Sequence, residues 1–127
     1  KANTLLHSDG STTTQPSIPA LDQRMAKVWV TFAAPVGTVT IKDSYGVSSV
    51  TDRGVGLYTV NYSTSFSNTD YCFITSSVDG GGENDDAGVG CSDGKTTTGV
   101  ALYTYHNTGN PVAPNDVNEL HAVIFSA

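Results

Sequence analysis

Residues 44–64, SYGVSSVTDRGVGLYTVNYST, decide the reading of the fold. Polar β-formers lead to Asp52-Arg53-Gly54, with Gly56 just beyond, and the chain then alternates. Tyr58, Val60 and Tyr62 fall on one side and Leu57, Thr59 and Asn61 on the other. A period of two marks a strand, because successive side chains point to opposite faces of a sheet. The stretch therefore reads as a hairpin: Asp52-Arg53-Gly54 and the glycine that follows supply the turn. GLYTVNYSTSF, the clearest alternation in the chain, is expected to be a central strand.

The same period recurs on both sides. In KVWVTF, from Lys27, Val28, Val30 and Phe32 share a face opposite Trp29 and Thr31. TVTIKDSY sets Val39 and Ile41 against Thr38, Thr40 and Lys42, and a shorter strand starts at Val47. In DYCFITSSV, Tyr71, Phe73 and Thr75 share a face. TTTGVALYTYH sets Val100, Leu102 and Thr104 against Ala101, Tyr103 and Tyr105. ELHAVIFSA sets Leu120, Ala122 and Ile124 against His121, Val123 and Phe125. These runs are rich in aromatic and β-branched residues, which suit a pleated, half-buried surface.

Three stretches lack that pattern. Residues 1–25 hold a Thr run, Pro16 and Pro19 and only scattered apolar residues, so they read as an extended arm or linker before a domain spanning 26–127. Residues 79–95, DGGGENDDAGVGCSDGK, contain six glycines and no strand signal, and are expected to form one long loop. NTGNPVAPND reads as a turn-rich connection. About seven strands, frequent turns and no helical period predict an all-β antiparallel β-sandwich, with a closed barrel as the runner-up.

At 127 residues the chain is long enough for one core. Charged residues are only 14%, and the net charge is -6, with Lys1, Arg24, Lys27, Lys42, Arg53 and Lys95 spread singly. Binding a phosphate backbone needs clustered cations to displace counterions, so nucleic acid is a poor partner. No apolar run approaches the ~20 residues that span a bilayer, so the chain reads as soluble, without membrane insertion. The amino terminus lacks the charged and apolar segments of a secretory signal. It opens on Lys1, as a processed form or one portion of a longer polypeptide would.

Little in the sequence carries chemistry. His7, His106 and His121 could each serve as a base, but no G-x-S-x-G nucleophile elbow accompanies them, and sheet-face or surface histidines are the ordinary reading. Asp79, Glu83, Asp85 and Asp86 lie on the glycine-rich stretch with nothing apolar beside them, an unsuitable setting for a glycosidase pair. With Asn84 they could ligate calcium, although the EF-hand register is absent, and a solvated loop is the alternative. No zinc spacing or phosphate-binding glycine loop occurs, so no cofactor is expected and the chain reads as non-enzymatic. Cys72 and Cys91, 19 positions apart, would close a loop worth roughly 3 kcal/mol if bonded. Two reduced, half-buried thiols are the alternative. Trp29, Tyr45, Tyr58, Tyr62, Tyr71, Tyr103 and Tyr105 could stack on sugars or pack in a core or subunit interface.

AKVWVTF (26–32), GTVTIKDSYGVSSVTDRGVGLYTVNY (37–62) and a strand ending in AVIF (122–125) resemble a module of tailed-bacteriophage virion proteins. These are tail-fibre, appendage or capsid-surface proteins, especially of phages of cyanobacteria and other aquatic bacteria. The resemblance covers roughly residues 18–127. It implies a virion component, commonly a homotrimer, that meets other virion proteins and the host surface, with glycan as one expected contact. Trp29, Val30, Phe32, Val39, Ile41, Tyr58, Val60 and Tyr62 correspond to structural positions of the module, none of them catalytic. Capsid decoration is the alternative within the same family. A secreted carbohydrate-binding module and a surface-filament subunit are the alternatives outside it. The acidic glycine stretch is not part of the shared pattern.

Overall fold

The computed structural model describes residues 24–35, 37–78, 87–106 and 113–126, giving the backbone alone at 87, 88, 91–93, 106 and 113. Among these residues there are nine strands and no helix: β1 Val28–Ala33, β2 Thr40–Tyr45, β3 Val47–Gly54, β4 Leu57–Tyr62, β5 Cys72–Val78, β6 Ala87–Thr96, β7 Gly99–His106, β8 Ala113–Pro114 and β9 Glu119–Phe125. Nearly all of the expected arm, residues 1–23 with His7, lies outside the described residues, as do 79–86 and 107–112.

Two antiparallel sheets face each other. Sheet A has the order β2-β1-β9-β5, and sheet B the order β3-β4-β7-β6, with β8 also pairing β7. They are packed as a sandwich and do not close, so the barrel is set aside. Alternation explains the core directly. Val28, Val30 and Phe32 of β1 and Leu120, Ala122 and Ile124 of β9 turn inward from sheet A. Tyr58, Val60, Tyr62, Val100, Leu102 and Thr104 turn inward from β4 and β7, and Ala34, Tyr71 and Val117 seal the layer. Burying each such aliphatic side chain contributes about 1.5–3 kcal/mol. The Phe32 and Tyr58 rings bridge the sheets edge to face, centroids 5.6 Å apart.

Three sequence expectations shift. The segment read as one loop over 79–95 is in fact strand β6 from Ala87 onward, pairing with β7 from Ala87↔His106 to Thr96↔Gly99. Its glycines remove the side-chain alternation that marks a strand, while the backbone ladder needs no side chains, and an irregularity between Cys91 and Lys95 absorbs the extra residues. The hairpin reverses at Val55-Gly56, not at Asp52-Arg53-Gly54. The Asp52 carboxylate accepts from the Gly54 amide at 2.8 Å, and Gly54 still pairs with Leu57. Val39 packs against the core, whereas Ile41 is 37% exposed, because β2 is an edge strand whose register against β1 jumps between Thr31 and Phe32.

Two polar devices hold the layers in place. Between β2 and β3 the chain crosses from sheet A to sheet B through the single residue Gly46, at φ +71°. A Cβ there would sit 2.6 Å from the Lys27 carbonyl oxygen, so both the left-handed backbone and the close approach demand glycine. At the far end of β4, the Asp116 carboxylate accepts from the Tyr58 hydroxyl and the Gly56 amide, each at 2.8 Å. Thr104 donates its hydroxyl to the Asn115 carbonyl at 2.5 Å, and its own carbonyl accepts from the Asn115 amide at 3.1 Å. The segment entering β9 is thereby tied to sheet B, and its buried polar groups are satisfied.

Candidate functional site

The strongest concentration of chemically distinctive side chains lies on the outer face of sheet A. Register assembles it from four strands. Trp29 pairs with Tyr45 on one side and Val123 on the other, and Val123 pairs with Ile74. Tyr45–Trp29–Val123–Ile74 therefore forms an apolar row across the whole sheet, with Tyr45 46% and Ile74 61% exposed. Sequence alternation placed Trp29 opposite the core residues Val28 and Val30. The row itself depends on pairings between strands distant in sequence.

Beside the row runs a polar chain. Lys42 pairs with the Glu119 carboxylate, and the other Glu119 oxygen lies 3.4 Å from His121 Nε2. His121 Nδ1 lies 3.1 Å from the Thr31 hydroxyl. Of the sequence candidates, His121 is thus brought together with Thr31, Glu119 and Lys42, none of which the sequence singled out. Hydroxyl, imidazole and carboxylate stand in line, but on an open sheet face. The side chains are partly solvated. Such an arrangement can donate and accept hydrogen bonds to a ligand.

Near the Gly46 corner a cleft of about 420 Å³ opens between Lys27, Val28, Tyr45, Gly46, Ser63, Thr64 and Phe66. Behind it Tyr62, Phe66 and Tyr71 form an aromatic cluster, with ring centroids 4.8–5.9 Å apart. Lys95 lies over the Tyr71 ring at 5.0 Å and donates to the Tyr71 carbonyl. On the outer face of sheet B, Tyr103 and Tyr105 stack at 5.6 Å, opposite Gly90 and Gly88 of β6.

The remaining sequence candidates are distributed differently. Val30, Phe32, Tyr58, Val60 and Tyr62 are core residues. Cys72 is an exposed free thiol at the start of β5, and the Cys91 side chain lies outside the described residues. The His106 side chain, together with Asp79, Glu83, Asn84, Asp85 and Asp86, also lies outside them. Among the described residues no three His, Cys, Asp or Glu side chains gather closely enough to hold a metal ion, and no helix is long and apolar enough to cross a membrane.

This architecture defines the chain as an antiparallel two-sheet β-sandwich with a mixed aromatic and polar outer face. No protein-family model, curated protein or solved structure matches it.

Proposed function

We propose that the chain is a non-enzymatic structural module of a bacteriophage virion, a homotrimeric tail-fibre or appendage domain that contacts glycan on the host surface. The observation that carries this reading is the outer face of sheet A, where the Tyr45–Trp29–Val123–Ile74 row adjoins the Lys42–Glu119–His121–Thr31 chain. Aromatic faces stack on the apolar faces of sugars, and adjacent fixed donors and acceptors match their hydroxyls. The sequence resemblance supplies the virion context and the trimer. A capsid decoration domain meets the same physical demands. The same face also favours a second reading, a secreted carbohydrate-binding module that acts as a monomer.

Native mass separates the two, since the first reading expects three chains of 13.2 kDa and the second expects one. Trp29→Ala is expected to weaken binding to host cells roughly tenfold or more while leaving the fold intact, because a central aromatic carries much of a recognition surface. Retained binding would refute recognition through this face. A fall from trimer to monomer in the variant would instead make the face a subunit contact.

A further inference from the structure

The cleft at the Gly46 corner and the apolar row of sheet A share a residue. Tyr45 pairs with Trp29 across β2 and β1, and the same Tyr45 lines the cleft with Lys27, Ser63, Thr64 and Phe66. Paired residues on antiparallel strands stand about 4.5–5.5 Å apart, close to the width of a sugar ring. A ring against Trp29 and a ring on the cleft side of Tyr45 are therefore spaced as neighbours in one oligosaccharide.

The walls of the cleft are fastened before any ligand arrives. The Lys27 amide donates to the Ile124 carbonyl at 2.8 Å, the Ser63 amide to the Gly46 carbonyl at 2.9 Å and the Phe66 amide to the Thr97 carbonyl at 2.8 Å. Phe66 is held further by the Tyr62 and Tyr71 rings, with centroids 4.8 and 5.2 Å away. A ligand entering here pays little for ordering the protein.

The lining matches a sugar in size and chemistry. At about 420 Å³ the cleft lies near the lower end of the range for ligand pockets, about 300–1,000 Å³. Two aromatic residues, Tyr45 and Phe66, offer faces for the C–H side of a pyranose, while the exposed Ser63 and Thr64 hydroxyls and the Lys27 ammonium match its hydroxyls. Among the described residues that line it there is no carboxylate to attract a cation.

We propose that this cleft is a second sugar subsite, contiguous with the Trp29 row through Tyr45, and that the ligand is an oligosaccharide of at least two rings and not a single sugar. The inference rests on the glycan reading above and adds to it the cleft, which that reading does not use. Two linked subsites raise affinity beyond either alone, because the second ring binds at the high effective concentration that the first creates.

The test is titration of the native protein with glucose, galactose, rhamnose and N-acetylglucosamine and with their linear oligosaccharides of two to six rings. At least one series is expected to bind, with affinity rising about tenfold or more between one ring and three. Thr64→Trp fills the cleft from an exposed position, and is expected to keep one-ring binding and lose the rise. Ser63→Ala combined with Thr64→Ala removes both hydroxyls without adding bulk, and is expected to shrink the rise. Val55→Trp, at a residue 57% exposed beyond the opposite end of β4, is expected to bind like the native protein. Equal affinity at all lengths, or a rise unchanged in both cleft variants, would overturn the second subsite and leave recognition through the Trp29 face standing. Loss of one-ring binding in Thr64→Trp would make the cleft the sole sugar site and overturn the two-subsite arrangement. Binding of no series by the native protein would overturn this inference and the glycan reading together.

Discussion

Tyr58→Ala is expected to lower the unfolding free energy by about 4 kcal/mol, measured by urea denaturation, a large part of the 5–15 kcal/mol typical of a domain. The ring is 1% exposed, packs edge to face on Phe32, and its hydroxyl donates to Asp116, with the Ala34 carbonyl at 3.3 Å. Alanine leaves a cavity between the sheets and removes a donor from the Asp116 carboxylate. Tyr58→Phe separates the two effects: it keeps the ring and loses only the hydrogen bond to a charged group, a cost of about 2 kcal/mol.

The phenol also makes stability depend on alkaline pH. Burial, then the Asp116 hydrogen bond and charge, push the Tyr58 pKa well above its ordinary value of 10.0. A pKa raised in the folded state means that the fold favours the neutral phenol. The resulting stability is fully present below about pH 10 and is lost as pH rises, because only the unfolded chain releases the proton there. Tyr58→Phe is therefore expected to lose less stability than the native protein between pH 9 and about pH 11. Equal slopes in the two proteins would show that Tyr58 is not the group responsible.

Gly46→Ala is expected to cost about 3 kcal/mol or more, combining left-handed backbone strain of about 1–2 kcal/mol with overpacking. The new methyl would meet the Lys27 carbonyl at 2.6 Å and the Val28 side chain at 3.2 Å, and neither is the free end of a flexible chain. Gly37→Ala is the matched comparison. Gly37 has nearly the same φ, +75°, but open space where its Cβ would lie, so only the backbone strain applies. Similar losses in the two variants would show that the close approach at the corner contributes nothing.

The sequence exposed those parts of the fold in which apolar side chains alternate. The inward faces of β1, β4, β7 and β9 could be read because Val28-Val30-Phe32, Tyr58-Val60-Tyr62, Val100-Leu102-Thr104 and Leu120-Ala122-Ile124 each keep a strict period of two. Strand β6 escaped because glycines carry no face. Gly46 gave no sign of being the corner between sheets, since one glycine among polar β-formers looks the same in a turn, a bulge or a crossover. The outer face was legible only in part. Trp29 and Tyr45 could be placed on strands, but Thr31 meets His121 across 90 residues and Lys42 meets Glu119 across 77. Such contacts follow from which strands become neighbours, and that is decided by the burial of the opposite face.

The pairing of β1 with β9 fixes the order in which the domain can be completed during synthesis. The middle of sheet A joins the first of the described strands to the last, from Val28↔Ile124 to Ala33↔Glu119. The β3–β4 hairpin, and then its union with β7, can assemble while the carboxy-terminal strand is still within the ribosome, because those pairings close earlier in the chain. Val28, Val30 and Phe32 must meanwhile wait without their central partner. A nascent chain halted just before Glu119 would hold a formed sheet B above β1 paired only with β2, so protease resistance is expected only once β9 has been released.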